Sequence, residues 1–245
     1  MDTRKRLSRS LGAVFYLIGI LLALVLAGGA AWADFEAEYY GFDRMANKAL
    51  RTLRCPVLMA ASETGHISAT FSNSTERSIQ LMVRADFSNP GPPRSVRTTL
   101  PLAPGERKQL EWAVTSDNVD LGWFIFARVY TYPAYPYPFR QGTCGIIVIN
   151  LAGLTGSQVF ALMITASLLG ILVGLGLWER SKGPSGGRRL GTTSAMRFLA
   201  VIVLLALLTS LMGWWGIAGL FVVVALLLLS VLAYFLLTEA AGRPE

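Results

Sequence analysis

FLAVIVLLALLTSLMGWWGIAGLFVVVALLLLSVLAYFLLT, residues 198–238, runs for 41 positions without a charged side chain. As one helix rising 1.5 Å per residue it would measure about 60 Å, twice the ~30 Å hydrocarbon core of a bilayer. The stretch therefore predicts two membrane crossings, over 198–213 and 217–238, followed by a short tail over 239–245. The turn is legible at Gly213-Trp214-Trp215-Gly216, where glycines permit the bend and tryptophans favour the membrane interface.

Upstream, Leu151 to Trp178 is a second uncharged run, ending at Glu179-Arg180. Its span is expected over 151–178, with Trp178 at the interface. Ala166, Gly170 and Gly174 recur at four-residue spacing and predict a face on which another helix can approach closely. The plainer reading is that glycine is common in membrane helices. Leu11 to Ala33 is uncharged over 23 residues behind a basic segment, 1–10. A retained anchor over 11–33 competes with a secretory signal ending at Ala31-Trp32-Ala33. The apolar stretch exceeds the roughly 7–15 residues of a signal's core, which favours the anchor. On either reading, residues 34–150 are expected outside the cytoplasm.

Composition agrees with a membrane protein: 53% of the 245 residues are hydrophobic and 15% charged, against about a quarter charged in soluble domains. The net charge of +7 is not spread evenly. Residues 1–10 carry +3 and residues 179–197 carry +4, whereas residues 34–156 carry +1 and the tail −1. Lys and Arg beside apolar runs mark loops kept in the cytoplasm. Four spans with both termini and the 179–197 loop inside the cell are thus expected, in the plasma membrane. A nucleic-acid partner would need those charges on one folded surface with aromatic stacking partners, and this distribution excludes it.

The segment between the first two spans changes character twice. Residues 34–54 predict a juxtamembrane amphipathic helix, with acidic residues first, basic residues last, and Phe35, Tyr39, Phe42, Met45, Ala49 and Leu53 on one face. That face could rest on lipid, on the following domain or on a partner. From Cys55 the period becomes two: Ile67, Ala69 and Phe71, then Ile79, Leu81, Val83, Ala85 and Phe87, and further short strands to Ile149. About seven strands with turns every 8–12 residues predict a β-sandwich over 55–150. Cys55 and Cys144 share the parity of inward-facing residues on its first and last strands. Outside the cytoplasm such a pair is expected to oxidise; two separate buried thiols are the alternative.

Leu102-Ala103-Pro104-Gly105-Glu106 followed by Leu110-Glu111-Trp112, with the polar turn Asn73-Ser74-Thr75-Glu76 before a long strand, resembles bacterial immunoglobulin-like domains of the CARDB type. The resemblance covers residues 55–150 at most and implies a sandwich that binds or spaces, with no catalytic residues to carry over. The membrane spans lie outside it.

Candidate chemistry is sparse. His66 is the only imidazole, and with two cysteines it excludes a zinc-finger array or an iron–sulfur ferredoxin. No phosphate-binding loop frame is present, and the later spans contain no Asp, Glu, Lys, Arg or His, which argues against a transporter core. No catalytic site, cofactor, metal or small-molecule substrate is expected. The most unusual stretch is Tyr130-Thr131-Tyr132-Pro133-Ala134-Tyr135-Pro136-Tyr137-Pro138-Phe139. Its rings Tyr130, Tyr132, Tyr135, Tyr137 and Phe139 offer a stiff aromatic surface to a partner, or else pack on the sandwich. Asn73-Ser74-Thr75 matches a glycosylation sequon but suffices as a turn.

The expectation is a non-enzymatic membrane accessory or assembly subunit, touching lipid and other membrane subunits or itself, and displaying an immunoglobulin-like domain. One alternative is a self-assembling structural or adhesive four-span protein with claudin-like topology, although Leu121-Gly122-Trp123 is not the claudin motif. Another is a cofactor-less subunit of a membrane enzyme complex.

Overall fold

Among the described residues, four apolar helices and eight short strands account for the architecture. The computed structural model describes residues 3–42, 48–132, 138–151, 153–181 and 187–241. Its helices are α1 (Thr3–Tyr39), α2 (Gly156–Arg180), α3 (Gly187–Leu211) and α4 (Trp215–Ala241). Each holds a segment long and apolar enough to cross a membrane: Leu7–Tyr39, Gly156–Arg180, Thr192–Leu211 and Trp215–Tyr234. The expected 179–197 loop is helical at both ends, because α2 and α3 continue past their uncharged cores. The chain divides into two units, Met1–Ala31 with Ala161–Glu245, and Trp32–Phe160.

In the helical unit, α1 and α2 meet backbone to backbone. A Cβ added at Gly174 would lie 2.4 Å from the Tyr16 nitrogen, and one at Gly170 2.9 Å from the Phe15 oxygen. The Ser167 hydroxyl donates to the Gly19 carbonyl at 2.9 Å. Tyr16 donates to Met196 O at 2.6 Å and Ser210 to Ala27 O at 3.1 Å, so α3 is tied to α1 as well. Between α3 and α4 the chain reverses at Gly213, whose φ of +73° favours glycine. There the Trp214 amide donates to Thr209 O at 2.9 Å.

In the other unit, β1 (Leu53–Arg54), β3 (Gly65–Ser72) and β6 (Arg107–Val114) form a three-stranded antiparallel sheet in the order β1-β3-β6. The second sheet has five strands in the order β2-β8-β7-β4-β5. These are β2 (Leu58–Ala60), β8 (Arg140–Ile149), β7 (Phe124–Thr131), β4 (Ile79–Phe87) and β5 (Arg94–Leu102). Only β2 and β8 pair in parallel among its strands. Period-two alternation turns Ile67, Ala69 and Phe71 of one sheet, and Leu81, Val83, Ile125 and Val129 of the other, into one shared core. Cys55 and Cys144 are joined by a disulfide at the side of that core.

The expected separate helix over 34–54 is corrected. Nothing breaks the helix between Ala33 and Asp34, and α1 continues to Tyr39. Its apolar residues do not share one face: Phe35 and Tyr39 are exposed, Ala49 forms a bridge with Gln141, and Leu53 begins β1. Met45 lies outside the described residues. The buried face of the extension consists of Ala33 and Ala37, small enough to sit on the five-stranded sheet at Gly145. A Cβ at Gly145 would lie 2.1 Å from the Ala33 oxygen. The Asp34 carboxylate accepts from the Gly145 amide at 3.1 Å, and Glu38 accepts from the Thr143 hydroxyl at 2.7 Å.

Candidate functional site

Strand β7 is buried along its whole length. Ile125, Ala127 and Val129 face the shared core, so Phe124, Phe126, Arg128 and Tyr130 face the other way. Phe124 and Phe126 lie under Ala33 and Ala37, with Tyr40 and Phe42 packed alongside. The Tyr40 hydroxyl donates to Asp120; burial first, and that carboxylate second, push its phenol up to about 12.

Further along the same face, a charged cluster replaces the apolar cover. Asp86 on β4, 1% exposed, is opposite Arg128 in the strand register. One of its oxygens accepts from Arg128 Nε at 3.2 Å, and the other from Arg84 Nε at 2.7 Å and from the Ser95 hydroxyl. Burial alone would raise the Asp86 carboxyl, but the hydrogen bonds from Ser95, Arg128 and Arg84 outweigh it and hold the group below the usual carboxylate range. Arg84 continues outward to the Tyr130 hydroxyl at 3.1 Å and to the Ser95 hydroxyl at 3.0 Å. The Tyr130 ring has the Arg128 guanidinium 5.2 Å and the Arg84 guanidinium 5.6 Å from its centroid. Its hydroxyl lies 3.0 Å from that of Tyr132. Burial, and then the Tyr132 hydrogen bond, raise the Tyr130 phenol. The Tyr130 hydrogen bond, aided by Arg84 and Arg97, lowers the Tyr132 phenol.

The five aromatic residues of the 130–139 stretch thus separate. Tyr130 belongs to β7 and is fully buried, which corrects its assignment to an open partner surface: register puts it under two guanidiniums. Tyr132 is half-buried beside it and Phe139 is exposed, whereas Tyr135 and Tyr137 lie outside the described residues. In α2, Gly170 and Gly174 lie against α1, but Ala166 is exposed, which corrects its place in that seam. Four-residue steps drift about 40° each around a helix, so two steps carry Ala166 off the contact, and Ser167 takes its place. Trp178 is buried, with the Arg9 guanidinium 4.6 Å from its ring centroid. Trp214 is exposed and Trp215 half-buried at the α3–α4 turn. His66 Nδ1 lies 3.0 Å from Glu111 on the exposed side of the smaller sheet. Asn73 is buried, its amide within 3.1 Å of the Arg77, Leu102 and Ala103 carbonyls, so its side chain organises the turn. Among the described residues no group of three His, Cys, Asp or Glu side chains could hold a metal ion.

Arg84, Asp86, Ser95 and Arg128 were not singled out from sequence. One signal was available: Arg128 is the lone charge in a strand too apolar to have a solvated face, so a buried partner was required.

The chain matches no protein-family model and no curated protein. Part of it is similar to a CARDB domain from Pyrococcus furiosus, at 13% identity and a TM-score of 0.33, over 40% of this chain and 90% of that one. Part is also similar to a β-glucosidase from Listeria innocua, at 14% identity and a TM-score of 0.29, over 39% of this chain and 15% of the enzyme. A Paenibacillus cycloisomaltooligosaccharide glucanotransferase has 16% identity and a TM-score of 0.33, over 42% and 14%. Likenesses this distant transfer neither fold nor activity.

Proposed function

We propose that this chain is a non-enzymatic integral membrane accessory or assembly subunit. Four spans, with both termini in the cytoplasm, hold an immunoglobulin-like sandwich outside it, and the sandwich binds a partner subunit. The observation that carries this reading is a disulfide-linked two-sheet unit lying in sequence between helices apolar enough to span a membrane. Disulfides persist in oxidising compartments, and the basic segments 1–10 and 179–197 flank the apolar runs on the opposite side of each crossing. The polar cluster on the outer sheet face supports a binding role, since a surface serving only as a spacer gains little from two arginines on one carboxylate with a third, Arg97, exposed beside them.

Extraction in mild detergent followed by native separation tests this. A second protein co-migrating at fixed stoichiometry is expected. A monomer with no companion would overturn the reading, and a homo-oligomer would favour the self-assembling alternative. Tags at Ser185 and Tyr135 should be accessible from opposite sides of the membrane; labelling from one side would refute the topology.

A further inference from the structure

We propose that the outer face of β4 and β5 around Arg84 and Arg97, bordered by Tyr132, is a docking site for an acidic polypeptide segment. This rests on the subunit reading above and supplies the chemistry of the partner.

Charge is the first reason. Both oxygens of Asp86 are occupied, by Arg84 and Ser95 on one side and Arg128 on the other, so it offers nothing to Arg97. Arg97 forms no ion pair among the described residues and is exposed. Strand register sets it directly opposite Arg84, a like-charge pairing that works against the fold. Residues 34–156 carry only +1 overall, so this is a local surplus and not one patch of a generally basic domain. A carboxylate laid over the pair would accept from both guanidiniums, the strongest of ordinary hydrogen bonds.

Shape is the second. β5 is the last strand of its sheet, and Ser95, Arg97 and Thr99 on it are exposed, with Met82 of β4 44% exposed beside them. An open strand face of this kind suits an extended chain with side-chain carboxylates better than a small enclosed anion. The half-buried Tyr132, its hydroxyl 3.0 Å from that of the buried Tyr130, borders the guanidiniums.

The full chain in phosphatidylcholine nanodiscs provides the test, with dye-labelled decaglutamate as the probe. Saturable binding that weakens with added salt is expected, with decaglutamine failing to bind. Arg97→Gln should weaken decaglutamate binding about tenfold, the loss of roughly one charge-assisted contact, without lowering the thermal transition. Arg97→Lys should recover part of it, and Arg188→Gln with Arg189→Gln should not matter. Equal binding by Arg97→Gln, or by decaglutamine, overturns the proposal. So does Arg97-dependent binding of phosphatidylglycerol vesicles or inorganic phosphate without decaglutamate binding. A partner that co-purifies equally with wild type and Arg97→Gln removes this site but leaves the subunit reading standing. Arg97-dependent peptide binding with no co-purifying protein does the reverse.

Discussion

The two faces of the five-stranded sheet are both buried along β7, by different chemistry. On the inner face Ile125, Ala127 and Val129 join an apolar core that needs only the right side-chain class at alternate positions. On the outer face Arg128 and Tyr130 are buried because Asp86, Arg84 and Ser95 arrive at hydrogen-bond distance. The inner face is robust to detail. The outer one depends on every member, since a half-satisfied ionic cluster is worse than none.

Removing the disulfide should give the largest loss, and it strikes the inner face. Cys55→Ala with Cys144→Ala frees a loop closed over a sequence separation of 89. The loop-entropy account puts the loss near 4–5 kcal/mol. Urea unfolding of the full chain in detergent, followed by the amide band of the sheets, checks it. The helical unit, Met1–Ala31 with Ala161–Glu245, should be unaffected, so a loss shared by both units would contradict the division into two units.

Asp86→Ala is the corresponding break on the outer face. It leaves Arg128, itself 2% exposed, without its carboxylate, and a loss of about 3–5 kcal/mol is expected. Adding Arg128→Met should restore part of that stability, because the buried guanidinium that lost this carboxylate goes with it. If the double variant is no more stable than Asp86→Ala, the cost lies in packing and the ionic account fails.

Acid distinguishes the faces without mutation. Asp86 is held below its unfolded value near 3.9, so its contribution is complete above that pH. It is lost as the pH falls through the lower folded value. Wild type should therefore lose stability below about pH 4 more steeply than Asp86→Asn. Parallel acid profiles for the two would refute the role assigned to this carboxylate.

The same contrast explains what the sequence made legible. Parity put Ile67, Leu81 and Val83 inside, and the Gly213-Trp214 turn split the 41-residue run, because both follow from local periodicity and the thickness of a bilayer. The Cys55–Cys144 pair was legible for the same reason, each lying on an apolar parity. The Asp86–Arg128 pair was not, since it joins residues 42 apart through a register that only the folded sheet fixes. Nor was the passage of α1 onto the sheet: it depends on Ala33 and Ala37 meeting Gly145, small residues that announce no partner in isolation.

The smallest expected effect has the opposite sign. Arg97→Gln removes one of two like charges set opposite each other on β4 and β5 and touches no hydrogen bond of the Asp86 cluster. Unfolding should become harder by about 0.2–1 kcal/mol, the range for cross-strand charge pairs, more so at low salt. An unchanged or lower stability at low ionic strength would mean that Arg97 is neutralised within the fold, and its charge would then not be available to a partner. A gain in stability accompanied by weaker binding would separate the two uses of this face: Asp86 and Arg128 hold the sheet together, whereas Arg97 costs the fold something and is retained for contact.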